Sequence, residues 1–126
     1  MKEFNKVLYD ILLKLEVKKI ELFNTDRRAT DLRITKEALA LIKELEEQDR
    51  YSTVVSKEDW HKGVIGIVAS RLIETYYRPT VVFSMVGETM VGSVRSVKGF
   101  NVYEALDACK EHIVQFGGHK YAAGLT

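Results

Sequence analysis

The sequence predicts an α/β chain of the α+β kind, in which an N-terminal helical segment leads into a small mixed β-sheet covered by helices. Three observations predict it. Residues 1–48 contain neither glycine nor proline and repeat their apolar positions at three- and four-residue steps, which is the spacing of a helix face. All eight glycines and the one proline fall after Tyr51, where short β-branched runs begin to alternate with apolar helical stretches. The length, 126 residues, suits a single core with some peripheral helix.

In the first segment Phe4, Val7, Leu8, Ile11, Leu12 and Leu15 form one stripe, and Ile34, Ala38, Leu41, Ile42 and Leu45 form another. They fit either one long helix or two with a break near Asn24-Thr25. Tyr51 to Ser56 reads as a strand, and Val64 to Ile73 as a buried helix whose extent Pro79 limits. Gly66, Ala69 and Ser70 would let that helix lie close to a sheet. Thr80–Val86 and Thr89–Arg95 read as a hairpin around Gly87-Glu88, a type II′ turn with glycine first. Asn101 and Glu104 suit the start of a last helix, with Val102, Ala105, Leu106, Cys109 and Ile113 inward and His112 in solvent. That helix is expected to stop at Gly117-Gly118. The order is βαββα, and Ala122 to Thr126 looks like the start of a further strand needing partners, as at a fragment boundary.

Composition narrows the classes. With 46% hydrophobic and 29% charged residues the chain is an ordinary folded protein. No apolar run approaches the ~20 residues of a membrane span and the first residues lack a secretion signal, so no membrane partner is expected and the cytoplasm follows by default. One cysteine excludes an internal disulfide or a cysteine-based zinc site. Lys+Arg 19 against Asp+Glu 18 leaves a net charge of +1, and neither half is strongly basic, so any anion binding must come from a few placed groups.

Two blocks have that character. Gly92-Ser93-Val94-Arg95-Ser96 combines a glycine that permits close backbone approach, two hydroxyls and an arginine fork able to take two phosphate oxygens; it equally suits a solvated strand end. Gly117-Gly118-His119-Lys120-Tyr121-Ala122-Ala123-Gly124 surrounds one histidine with small residues. That histidine can donate to a phosphate oxygen or exchange protons near neutral pH, or simply sit beside a helix C-cap. Trp60-His61-Lys62-Gly63 precedes the buried helix, where N–H groups can receive an anion or the tryptophan can close the edge of the core. Arg27 and Arg28 can reach a phosphate or serve as surface charge. No Asp/His set has metal-ligand spacing and no Ser-His-Asp arrangement occurs, so these residues do not look catalytically complete.

In order, Trp60 to Leu72, Gly92 to Ser96, and Gly117-Gly118-His119 with Ala122-Ala123-Gly124 resemble the RecJ branch of the DHH phosphoesterases, and Asn24 to Leu39 resembles the helix linking that family's two domains. The resemblance implies a helical linker over residues 1–50 and an incomplete DHH-associated domain over 51–126. It implies an enzyme of DNA repair and recombination that removes nucleotides from single-stranded DNA in the 5′ to 3′ direction. Mn2+ or Mg2+ would be held by aspartates and histidines of an N-terminal catalytic domain not found in this chain. By the same resemblance, Gly92, Ser93, Arg95 and Ser96 hold a DNA phosphate near the 5′ end. Gly117 and Gly118 bring His119 toward the phosphate being cleaved. The chain by itself is then expected to be inactive and to bind oligonucleotides weakly. The competing readings are a DHH-family phosphoesterase of short oligonucleotides or nucleotides, an aminoacyl-tRNA synthetase appendage, and a non-catalytic RNA- or protein-binding module using the face near Leu8 and Leu12. That face could also pair two copies artefactually.

Overall fold

The computed structural model describes the backbone of residues 2–126 and the side chains of residues 6–16 and 26–126. A single 43-residue helix, α1 (Lys2–Glu44), settles the alternative left by the sequence, since the backbone stays helical through Asn24-Thr25. The chain divides into two compact units, the first ending at Thr30 and the second running from Asp31 to Thr126. In the first, Val7, Leu8, Ile11, Leu12 and Leu15 are all exposed; Phe4, at the head of the same stripe, lies outside the described side chains.

The second unit contains the end of α1, then β1 (Thr53–Ser56), α2 (Ile65–Thr75), β2 (Thr80–Val86), β3 (Thr89–Arg95), α3 (Val102–Ala108), a short 3-10 turn (Lys110–His112), β4 (Phe116–His119) and β5 (Ala122–Leu125). The sheet is mixed and five-stranded, in the order β1-β2-β3-β5-β4, with β1 parallel to β2 and every other pair antiparallel. β4 is a strand the sequence does not predict, and β5 is the strand it reads as beginning at Ala122. Gly117-Gly118 do not end a helix but form β4, and Ala122 to Leu125 finds its partners inside this sheet, between β3 and β4.

α1 ends in a left-handed residue, Glu46 (φ 56°), with Glu47 N bonded to Ile42 O at 2.9 Å, the bonding of a Schellman cap. Ile34, Ala38 and Ile42 of α1 pack with Val68, Ala69 and Leu72 of α2 and Val82 of β2, all fully buried. Each large aliphatic side chain so buried contributes about 1.5–3 kcal/mol. A second, smaller cluster on the opposite face of the sheet joins Val94, Val102 and Ala123. Between β2 and β3, Gly87 has φ 64° and Glu88 does not go positive, as the expected type II′ turn requires. Asn101 Oδ1 accepts from Glu104 N at 3.1 Å, capping α3.

The last helix also corrects the expectation for Cys109. Its φ of −106° and ψ of 12° end α3 before the 3-10 turn, so the apolar stripe loses phase there and Cys109 is exposed rather than core. His112 is exposed, as read from sequence.

Arg78, which the sequence reading did not single out, ties the end of α1 to β1. Its Nε donates to Thr53 Oγ1 (2.7 Å), Nη1 to Gln48 O and Arg50 O (2.7 Å each) and Nη2 to Glu47 O (2.9 Å), and the guanidinium lies 4.8 Å from the centre of the Tyr76 ring. A charge this buried is tolerated because four of its five N–H donors meet protein oxygen.

Candidate phosphate-binding site

Register decides which residues share a face. Directly paired residues of neighbouring strands point to the same side of a sheet, and Arg95 pairs with Ala122, which pairs with His119. One step along, Ser93 pairs with Gly124, which pairs with Gly117. Two rows therefore lie side by side, Arg95-Ala122-His119 and Ser93-Gly124-Gly117. Strand spacing puts the backbones of the outer members about 10 Å apart, with only hydrogen and methyl side chains between them. This is the face α2 covers over β2 and β3, while α3 packs on the other face. Gly117, His119 and Gly124 stay exposed beyond the reach of α2.

Arg95 turns its guanidinium back along β3. Nη1 donates to Ser93 Oγ at 3.1 Å and to Val94 O at 2.9 Å, and among the described residues no carboxylate pairs with it. A methyl group on Gly66 would stand 2.6 Å from Arg95 Nη2 and 3.0 Å from Ser93 Oγ. Gly66 in the first turn of α2 is thus the space in which the guanidinium sits. Sequence reasoning gave that glycine a packing role only; its signal was a glycine inside a helix, where it is disfavoured by about 1 kcal/mol.

On the other side, His119 Nδ1 accepts from Tyr121 N at 3.4 Å. The neutral ring then carries its proton on Nε2, which is left to donate. The turn that carries the histidine is pinned from outside, since Lys120 O accepts from Val102 N and Tyr121 O from Ser96 N, both at 2.9 Å. Gly118 has φ 142°, and a methyl group there would lie 2.6 Å from Ala123 Cα and closer still to Ala122 O, so the hairpin itself demands glycine. Gly92 is similarly occupied, by the Phe83 ring at 2.6 Å on the far face. Gly117 and Gly124 differ: a methyl group on Gly117 would meet nothing within 4 Å and one on Gly124 only Gly92 O at 3.8 Å, and neither has a positive φ. Their lack of a side chain keeps the floor open without being needed by the fold.

The other sequence candidates take different places. Ser96 Oγ donates to Phe100 O at 2.8 Å, holding the loop after β3. Trp60 is only 2% exposed, closing the core; its Nε1 donates to Glu37 Oε2 at 2.8 Å. That bond, with Lys57 and Arg33 nearby, holds the Glu37 carboxyl below its ordinary 4.5 against the opposing effect of burial. Ser84 Oγ donates to Trp60 O. His61 Nδ1 accepts from Gly63 N at 2.9 Å. Arg27 and Arg28 are exposed and belong to the N-terminal unit. Arg71 Nε lies 2.6 Å from the buried Asp31 Oδ1, an ion pair without the alignment of a directed hydrogen bond.

Among the described residues no three His, Cys, Asp or Glu side chains converge to hold a metal ion, and no described helix is long and apolar enough to cross a membrane. What the face offers is a guanidinium with no carboxylate partner among the described residues, a hydroxyl and an imidazole around a bare backbone floor, groups suited to an anionic, extended ligand.

Known proteins resemble this chain in sequence and fold. The DHHA1 domain family matches residues 48–126. The single-stranded-DNA-specific exonuclease RecJ of Bacillus subtilis is 39% identical over 109 residues, covering 85% of this chain and 14% of its own length. That of Escherichia coli is 34% identical over 115 residues, 85% of this chain and 20% of its own. A crystal structure of exonuclease RecJ bound to manganese superposes with a TM-score of 0.70 at 29% identity, covering 82% of this chain and 25% of that one. RecJ of Thermus thermophilus in complex with Mg2+ gives 0.68 at 30%, covering 82% and 15%. The chain thus spans a quarter or less of these relatives. The metal-bound neighbours raise the question of a metal here, and the described residues do not fit one. With its α+β fold, its mixed sheet and residues 48–126 all matched, the chain belongs to the DHHA1 domain family and is of the RecJ type.

Proposed function

We propose that this chain is the substrate-gripping part of a RecJ-like 5′ to 3′ single-stranded-DNA exonuclease of DNA repair and recombination, acting in the cytoplasm. The supporting observation is the single face on which Ser93 and the carboxylate-free Arg95 stand opposite His119 across the floor of Gly117, Gly124 and Ala122. Arg95 and Ser93 take phosphate oxygens near the 5′ end, the guanidinium as a two-pronged donor. His119 donates from Nε2 to the next phosphate and helps neutralise charge as it is cleaved. Gly117 and Gly124 allow the sugar-phosphate chain to approach the backbone. Hydrolysis belongs to a separate domain whose aspartates and histidines hold Mn2+ or Mg2+, linked through the helical segment of residues 1–50 to the domain of residues 51–126. The chain alone is inactive.

The test is fluorescence anisotropy at low salt with a short single strand carrying a 5′-phosphate, its 5′-hydroxyl twin and a duplex. The phosphorylated single strand binds best, and Arg95→Ala abolishes that preference while His119→Ala weakens binding. Equal binding of all three ligands by the parent chain and by Arg95→Ala would overturn the assignment.

A further inference from the structure

We infer that Tyr77, Phe100 and Tyr121 form a shelf on which bases of a single strand stack, directly beside the phosphate grip. The inference rests on the reading of that grip as a site for DNA phosphates. The three rings leave the same end of the sheet from successive strands. Tyr77 precedes Thr80 at the start of β2, Phe100 follows Arg95 at the end of β3, and Tyr121 lies in the turn joining β4 to β5. Thr80, Arg95, Ala122 and His119 form the last row of the sheet at that end, so the shelf is continuous with the grip. All three rings are exposed, at 70%, 44% and 39%, although aromatic side chains are normally used to build a core.

The Tyr77 hydroxyl and the backbone segments that carry Phe100 and Tyr121 are also held by one hydrogen-bonded loop cluster. Tyr77 Oη accepts from Lys98 N at 3.3 Å, Ser96 Oγ donates to Phe100 O at 2.8 Å, and Ser96 N donates to Tyr121 O at 2.9 Å. Ser96 is therefore a positioning residue, whose two donors hold two of the aromatic segments together. Lys120 Nζ lies 5.2 Å from the centre of the Tyr121 ring, Lys98 is exposed on the loop that bonds Tyr77, and no carboxylate pairs with either among the described residues. Exposed rings interleaved with unpaired lysines fit an unpaired nucleic-acid strand, whose bases present faces to the rings and whose phosphates meet the ammonium groups. With its backbone segments already tied together, such a shelf has less to order on binding.

The test measures this chain binding to a 5′-phosphorylated octathymidylate and to a strand of the same length and charge whose sugars beyond the first are abasic. The parent chain prefers the thymidylate by about tenfold or more. Tyr77→Ala and Phe100→Ala each weaken thymidylate binding about fivefold or more and leave abasic binding unchanged, with circular dichroism checking that each variant is folded. Tyr77→Phe keeps most of the preference. Arg95→Ala weakens both strands alike. Equal affinity of the parent chain for the two strands, with Arg95→Ala still weakening both, overturns the shelf and leaves the grip standing. Parallel loss of both strands in Tyr77→Ala and Phe100→Ala assigns the rings a structural role and also overturns it. No effect of Arg95→Ala on either strand defeats the grip, and the shelf with it.

Discussion

Gly117 and Gly118 are adjacent and chemically identical, yet their environments predict opposite consequences for the same added methyl group. At Gly118 alanine must adopt φ near 142°, a region that costs a non-glycine residue about 1–3 kcal/mol. Its methyl group also presses on the backbone of Ala122 and Ala123, an overlap worth about 1–3 kcal/mol more. Gly118→Ala is therefore expected to lose about 2–5 kcal/mol. In a folded unit running from Asp31 to Thr126, each kcal/mol lowers Tm by roughly 4–8 °C. At Gly117 the methyl group enters open space with an ordinary φ, so Gly117→Ala changes stability by less than about 1 kcal/mol, in the favourable direction expected for alanine in a strand. Gly117 nevertheless completes the floor across from Ser93, beside His119 on the same strand, and the substitution is expected to weaken single-strand binding about tenfold, or about 1.4 kcal/mol. Urea titrations of both variants at unchanged m value, with anisotropy on Gly117→Ala, measure the two effects. Similar destabilisation by the two substitutions would refute the register on which the site is built, and full binding by Gly117→Ala would refute the floor.

Single contacts elsewhere in the fold lead to three more expected outcomes. Gly66→Ala should improve α2 by about 0.5–1 kcal/mol while displacing the flexible end of Arg95, so thermal stability rises or holds as affinity for a 5′-phosphorylated strand falls. Arg78→Ala leaves three backbone carbonyls and the Thr53 hydroxyl without their donor. At about 1 kcal/mol for each lost bond, a loss of about 3–4 kcal/mol is expected in denaturant titration, and less than about 1 kcal/mol would mean that water replaces the guanidinium. Glu37 has a folded pKa below 4.5, chiefly through Trp60, so its stabilisation is complete above that value and is lost as pH falls through the folded pKa. The stability difference between the parent chain and Trp60→Phe should accordingly narrow in denaturation at about pH 3 compared with about pH 7.

Legibility followed the range of the interactions. The helical face of Ile34, Ala38 and Ile42, the Gly87-Glu88 hairpin and the Asn101 cap are written in residues a few positions apart, and each stands where the spacing puts it. Phe116 to His119 carries little strand propensity, because two of its four residues are glycine. It is a strand because β5 lies beside it, and β5 is held in turn by β3, more than 20 residues earlier in the chain. The same distance concealed Arg78, whose partners Glu47, Gln48, Arg50 and Thr53 lie 25 to 31 residues away. Cys109 misled for a local reason: the helix changes pitch there, and a periodicity cannot show where it ends.

The sequence by itself determined the class of the fold, the RecJ-type blocks and the kinds of group able to meet a phosphate, since composition, periodicity and motif order are properties of the chain alone. Only the tertiary structure decided that Arg95, Ser93, Gly117 and His119 share one face, because a one-residue shift in strand register would send half of them to the other side. It also separated Gly118, which the backbone requires, and Gly92, whose space the Phe83 ring fills, from the glycines that leave room for a ligand, Gly117 and Gly124. That difference lies in what stands opposite each glycine, and the sequence does not specify which atoms those are until the sheet has formed.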